Sequence, residues 1–349
     1  MIYFFDLGLT WIAEFFGDKR TIRIFFAVAS FLAVWLTIGL RWKTGSDWDV
    51  YYYQYAGTID NGFEPGYMVL VKIFRILGMS YTSFLLFISF VPLSLIAFFL
   101  YKKSDFYFAS MSFFVVNYML SFMGGNRQSI SIGILCVSVL FIEKRSLVKF
   151  LVCVVAASLF HYSSLAFIPA YFIAHMRLSP LVRYAAIAGA VVIALGIGTV
   201  SIDLPISIFN SLGMTSVVVK LNIYKDVLHF DGFTWSSVIK KVGLLVLFDL
   251  ALRRIRDESP ESVLFLNLYF VSILIDVIFG SINPAFARAG TSYRIMEIIL
   301  AAYVLRAFSD MKYRYAVYFL FLAYSVRQLY AGLQFYYDLY VPYRSVFGL

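Results

Sequence analysis

The chain has 349 residues, of which 62% are hydrophobic and only 14% charged, against about 25% charged residues in a soluble domain. Mean hydropathy is +0.83, and aromatic residues reach 19%, led by 37 Phe and 26 Tyr. A water-soluble globule of this size cannot hide so much apolar side chain, so the sequence belongs in a bilayer. Soluble enzymes, disordered chains, disulfide scaffolds and coiled coils are excluded. Long unbroken apolar runs, in place of strict alternation, exclude an outer-membrane barrel and predict an all-α integral membrane protein, a polytopic helical bundle. The formal net charge is +9, which in a membrane protein reports loop topology. No basic run or aromatic-flanked groove is long enough for nucleic acid. Cys136 and Cys153 lie in apolar runs and read as small core fillers, with no disulfide framework and no metal-ligand spacing.

In chain order, residues 1–17 are interrupted by Asp6 and Glu14 and lack the basic start of a signal peptide. They read as an interfacial helix or as a short extra span. Nine segments read as full crossings of about 20 apolar residues: 22–40, 80–101, 105–122, 126–142, 184–199, 235–252, 262–280, 292–308 and 315–332. With the ambiguous segments, about 9–12 membrane helices are expected. Residues 66–78 are too short to cross, carry Lys72 and Arg75, and read as an amphipathic or re-entrant helix. No repeat or soluble domain interrupts residues 1–349, so one polytopic domain is predicted, with loops 41–64 and 200–234 as caps.

Residues 147–176 would make a helix roughly 45 Å long, too long for a core of about 30 Å. The stretch LFHYSS at 159–164 offers a break in its middle. Reading 147–176 as a hairpin gathers 16 Lys or Arg on one side, in loops 19–23, 102–103, 144–149, 177–183, 253–256 and 306–314, against 7 on the other. A single span would spoil that separation. The positive-inside rule therefore predicts the hairpin, with the N-terminus and the basic loops cytoplasmic.

Several polar groups then converge on the outward face. Loop 41–64 carries Arg41, Asp47, Asp49, Asp60 and Glu64 among tyrosines, Tyr51 included, and two tryptophans. Aromatic faces and carboxylates are what a sugar site offers, although an interfacial aromatic belt also accounts for tyrosines. Asp47 and Glu64 sit beside glycine or proline turns that fix the backbone. Arg127 follows Gly124-Gly125-Asn126 and opens a span; a guanidinium beside free helix N–H groups suits a diphosphate. His161, at the hairpin apex, climbs to a similar depth and offers a general base or a phosphate donor. His175 and His229 read as structural. Asp276 with Arg294, or Arg294 with Glu297, gives a structural ion pair. Arg288, without a local partner, reads as a second phosphate ligand. Lys240, Lys241, Asp249 and Arg327 remain unassigned.

The order Arg41, Gly45-Ser46-Asp47, Tyr51, Glu64-Pro65-Gly66-Tyr67, then Arg127, then Phe160-His161-Tyr162-Ser163 before Pro169 resembles the EpsG family of bacterial exopolysaccharide and O-antigen polymerases of the Wzy type. The resemblance runs over roughly residues 20–300. Asp47 matches the family position and Asp49 is an addition; the stretch 288–294 resembles a late arginine motif. The resemblance implies a multi-pass enzyme of the bacterial inner membrane, related in architecture to C-type lipid-sugar glycosyltransferases, with its site facing the periplasm or exterior. By the same resemblance such an enzyme would join repeat units carried on undecaprenyl diphosphate, as in lipopolysaccharide or exopolysaccharide synthesis. Arg127, Arg288 and Arg294 would hold diphosphate, and Arg41, Asp49 and Tyr51 would contact substrate. His161, Asp47 or Glu64 would orient or deprotonate the attacking hydroxyl. No cofactor is implied; partners would be the lipid-linked donor and acceptor, membrane lipids and a chain-length regulator.

Two other classes share this composition. A lipid-linked oligosaccharide flippase would place its cations along a central cavity. A membrane acyltransferase would pair its histidine with an upstream Asn or Asp on a cytosol-accessible cavity.

Overall fold

The structure is a computed structural model describing residues 1–15, 20–197, 203–211, 213, 218, 222, 235–255, 259–280 and 284–348. The chain enters through α1 (Ile2–Phe15) and α2 (Arg20–Gly39). The cap follows, built on α3 (Trp48–Ala56) and α4 (Pro65–Ile76), then α5 (Tyr81–Lys103), α6 (Tyr107–Asn117), α7 (Met119–Gly124) and α8 (Asn126–Glu143). Next come α9 (Leu147–Ser158), a 3-10 turn (Tyr162–Phe167), α10 (Ala170–Ile173), α11 (Pro180–Ile197) and α12 (Asp203–Ser211). The last helices are α13 (Trp235–Arg254), α14 (Pro260–Gly280), α15 (Pro284–Arg294), α16 (Glu297–Arg306), α17 (Met311–Phe335) and α18 (Tyr337–Tyr340). Among the described residues there is no strand, only an isolated bridge between Arg41 and Ser345.

Among the described residues three helices, α2, α5 and α14, are long and apolar enough to cross a membrane by length and composition. The other expected crossings are helical over their described residues, 198 and 199 lying outside these, and most depart from a plain span. Segment 105–122 breaks at Tyr118 into α6 and α7, and segment 292–308 breaks at Ile295-Met296 between α15 and α16. Helix α13 carries Lys240, Lys241 and Asp249, α17 carries Arg327, and α8 opens on Asn126-Arg127-Gln128. Polar groups at these positions lower the mean hydropathy of their helices. Most of the 200–234 loop lies outside the described residues; within it Asp203–Ser211 is helical.

Local signals fix the helix ends. Ser80 accepts a hydrogen bond from Ser83 N–H (3.1 Å) at the start of α5, whose last turn carries Lys102 and Lys103 against the negative end of the helix dipole. Asp310 caps α17 through the Lys312 amide (2.8 Å). Pro92, inside α5, lies against Gly133 of α8, where a Cβ would stand 2.8 Å from the Pro92 Cα. The missing side chain lets the two backbones meet.

Contacts sort the helix termini into two ends. At the basic end, Lys103 pairs with Glu143 (2.5 Å) and Glu261 (3.2 Å), and Arg254 Nε donates to the Ala307 carbonyl (2.9 Å). At the opposite, loop end, Trp42 N–H donates to Arg344 O (2.8 Å), and Gly66 N–H donates to Leu159 O (2.8 Å). Residues 147–176 form the expected hairpin. Helix α9 rises from Ser146, the chain turns at Leu159–His161, and His175 Nε2 returns to within 3.1 Å of the Ile142 carbonyl at the basic end.

Helix α1 is a packed helix rather than an interfacial one. Thr10 Oγ1 meets Ser112 Oγ at 2.8 Å, and Tyr318 donates to the Trp11 carbonyl (3.0 Å). The Tyr3 hydroxyl donates to Tyr340 O (3.0 Å). Met1 therefore stands at the loop end, opposite to the basic side where the positive-inside rule places the N-terminus. Two cores result: a large one between the long helices, and a smaller aromatic one of Trp48, Tyr51, Tyr55, Tyr67, Phe74, Tyr81 and Phe84 inside the cap.

Gly133→Val is expected to lower the melting temperature in detergent by the equivalent of about 1–3 kcal/mol. Gly189→Ala, where nothing lies within 4 Å of the new Cβ, is expected to leave the melting temperature level or raise it. Equal melting temperatures for the wild type and Gly133→Val would show that the α5–α8 contact is slack.

Candidate functional site

Glu64 is the centre of the site. It precedes Pro65, which starts α4 with its fixed φ, so the carboxylate stands where the cap turns into a helix. Gly66 brings this turn against the hairpin apex: a Cβ there would lie 2.7 Å from the Leu159 carbonyl oxygen. Three donors from two other segments reach the carboxylate. Arg127 Nη1, in the first turn of α8, donates to Oε2 in an ion pair. His161 Nδ1 lies 3.2 Å from Oε1, and the Tyr162 amide donates to the same oxygen at 3.3 Å.

Arg127 has aromatic neighbours as well. Its guanidinium lies 3.9 Å from the Phe63 ring centroid, and Nε donates to the Tyr51 hydroxyl at 3.4 Å. A guanidinium has five N–H donors, and two are used here, so three remain for an anion. The Arg127 and His161 side chains are each 19% exposed, whereas that of Glu64 is 5% exposed. A ligand approaching from the loop end meets the cation and the imidazole, with the carboxylate behind them. Burial alone would raise the Glu64 carboxyl, but the hydrogen bond from His161 and the Arg127 charge hold it down at about 2. Burial pushes the Tyr51 phenol up, against the pull of Arg127, so its hydroxyl stays neutral.

The remaining candidates fall at three depths. Arg41 is fully buried beneath the site, with Nη1 donating to Ile38 O and Nη2 to Asn126 Oδ1 (2.6 Å). It positions the start of α8 and presents no surface to a substrate, unlike the contact role expected for it. Tyr51 is 3% exposed and belongs to the cap's aromatic core, reaching the site through its hydroxyl alone. Most rings of loop 41–64 are packed on one another, Trp48 on Tyr52 at 5.0 Å for example, so their first use is to hold the cap together. Asp47 is half-buried ahead of α3 without capping it, and Asp49 is exposed. Neither reaches the Glu64 cluster.

Arg288 has an exposed side chain, and its carbonyl accepts from Gln128 Nε2 (3.1 Å), which ties α15 to the start of α8. Arg294, at the far end of α15, pairs with Asp276 (3.3 Å), as the structural reading of the sequence expected. Asn126, Tyr162 and Gln128 are the parts that sequence reasoning passed over. Asn126 was visible in the Gly-Gly-Asn-Arg run, but its bond to Arg41 joins residues 85 apart.

Fold and site together define a polytopic α-helical membrane protein with a cation, an imidazole and a carboxylate assembled at one end. The sequence model of the EpsG family matches residues 24–345, and the chain belongs to that Wzy-type polymerase-like family. The match takes in the C-terminal segment that straps residues 40–46, beyond the reach of the motifs recognised in the sequence. No curated protein and no solved structure matches the chain.

The depressed Glu64 carboxyl makes its contribution to stability present above the ordinary value of 4.5, and lost as pH falls from there to about 2. Glu64→Gln is expected to cost about 3 kcal/mol at neutral pH, the lower end for breaking a buried pair. The difference in melting temperature from wild type should then close between pH 4.5 and about 2. A difference independent of pH over that range would show that the carboxylate's charge does not hold the cap.

Proposed function

We propose that this protein is a polysaccharide polymerase that joins oligosaccharide repeat units carried on undecaprenyl diphosphate, at the outer face of the bacterial inner membrane. The observation that carries this reading is the Glu64 cluster, which places a partly exposed guanidinium beside a carboxylate-bound imidazole. Membership of the EpsG family supports a polysaccharide polymerase-like role. The excess of Lys and Arg in the loops of the basic end supports an outward loop end.

The proposed reaction forms one bond and breaks one. A hydroxyl of the incoming unit attacks the anomeric carbon of the growing chain, whose bond to the diphosphate oxygen breaks. The electron pair leaves with the diphosphate. Arg127, with donors to spare, stabilises the charge that develops there. The hydroxyl proton passes to His161 Nε2. Glu64, bonded to Nδ1, fixes the tautomer that leaves Nε2 as the acceptor and stabilises the imidazolium that forms. Ionised, buried and occupied by three donors, Glu64 orients the base rather than serving as one. Asp47, within electrostatic reach of the Tyr51 hydroxyl, suits contact with the acceptor sugar.

The test uses the purified full chain in nanodiscs, given undecaprenyl-diphosphate-linked repeat units of its own pathway and no nucleotide sugar. A ladder of lengthening glycans on a gel is expected. His161→Gln and Arg127→Ala should each slow the ladder by about 10²–10³-fold. Wild-type ladders from both variants at normal protein levels would overturn the assignment. Units moved across the bilayer unchanged would favour a flippase.

A further inference from the structure

Helix α4 is apolar on two opposite sides. Tyr67, Val71 and Phe74, spaced i, i+4 and i+7, form the stripe that is buried in the cap. Val69, Ile73 and Ile76 repeat that spacing on the other side, and with Leu77 they are between 45% and 74% exposed. Lys72 falls on the outward stripe, between Val69 and Ile76, and Arg75 follows at its edge one turn on. Both are exposed, and among the described residues neither forms an ion pair, although the cap also carries the exposed Asp49 and Asp60.

The helix is held at both ends. The Gly66 amide at its start donates to the Leu159 carbonyl, and the Tyr55 hydroxyl donates to the Met79 carbonyl (2.6 Å) just past its end. The Arg75 guanidinium lies over Gly57, where a Cβ would meet Nη1 and Nη2 at 2.7 Å. Helix α5 sets the depth. The Phe74 ring is 5.3 Å from that of Phe84 and 5.1 Å from that of Phe87, and Phe87 lies about 9 Å along α5 from Tyr81. Since α5 is long and apolar enough to cross the membrane, the second half of α4 sits where the hydrocarbon begins. In water its outward stripe would be an aggregation liability. In the leaflet it continues the exposed surface of Phe87, and two long cationic side chains reach from it to the headgroups.

We propose that α4 lies in the leaflet at the loop end, with Val69, Ile73, Ile76 and Leu77 among acyl chains and Lys72 and Arg75 on the phosphates of anionic phospholipids. The partner is a lipid surface rather than a protein, because the stripe is continuous with a spanning helix and the charges along it are positive only. Glu64 stands at the N-cap of the same helix, so this seating fixes the height of the carboxylate that meets Arg127 and His161. The lipid contact itself does not depend on the polymerase reading.

The test places a bimane fluorophore on Ile76→Cys, in a Cys153→Ala background, in the full chain in nanodiscs. Dibrominated phosphatidylcholine and dibrominated phosphatidylglycerol serve as quenchers; Ile73→Cys gives a second label site should Ile76→Cys lower the yield. Quenching by both lipids is expected, with phosphatidylglycerol favoured at the label by about 5-fold for each cation. Lys72→Gln/Arg75→Gln should abolish that preference, and Lys72→Arg/Arg75→Lys should keep it, which separates lost charge from a damaged fold. Absence of quenching by either lipid would overturn the seating and leave the face to a protein partner. Equal quenching by the two lipids beside the native cations, or an unchanged preference in the neutral double variant, would overturn the headgroup assignment. The readout is local to α4, so it stands apart from whether the preparation makes polymer.

Discussion

A single carboxylate, that of Glu64, ties together three parts of the chain that are far apart in sequence. The cap supplies the acid, α8 the arginine, and the hairpin apex an imidazole and a backbone amide. A buried carboxylate has to fill its lone pairs with donors, and those available come from segments that would otherwise be free to slide. The position of the cap, the start of α8 and the height of the hairpin turn are consequently one variable. Two further links act in the same direction: the Gly66 amide on the Leu159 carbonyl, and the buried Arg41 on Asn126. Each joins a neighbour of the central triad, so the geometry of the triad is set from behind as well as from within.

The interruptions in the helices follow the same logic. The ladder breaks at Tyr118, at Leu159–His161 and at Ile295-Met296. Inside a bilayer, a broken helix is tolerated only where protein or a polar cavity satisfies the freed groups. Each of these breaks adjoins an ionisable side chain: Glu297 beside Tyr118, Glu64 beside His161, and Arg294 directly before Ile295. The breaks are thus the means by which an apolar bundle brings charge to one end of itself. Helices that build the polar end give up continuity to do so.

What the sequence revealed follows from the range of the interactions. The helical bundle, the cap and the hairpin were legible because hydropathy, span length and loop charge are local or additive quantities. Arg127 and His161 were legible because each is a polar group at an unlikely place. The depth of Arg41 was not: its partner Asn126 lies 85 residues away, and nothing near Arg41 marks it as buried. The aromatic loop misled in a related way. Rings that could face a sugar pack on one another instead, as Trp48, Tyr52 and Tyr81 do. Composition cannot tell a binding face from a small core. Helix α1 was ambiguous because Asp6 and Glu14 lower its hydropathy, and only the contacts of Tyr3, Thr10 and Trp11 place it inside the bundle.

The loop end is where the topology rule allows few cations, so the partner of each one there is informative. Arg41 faces neutral carbonyl and amide oxygens and is buried, which makes it a strut. Arg127 is matched by one carboxylate and keeps donors to spare, which suits a group that meets a phosphate and then releases it. Lys241 and Arg294 share Asp276, so one negative charge serves two positive ones. Charge balance thus separates three kinds of cation at this end: a buried strut, a guanidinium matched by one carboxylate with donors to spare, and two cations that divide a single carboxylate between them.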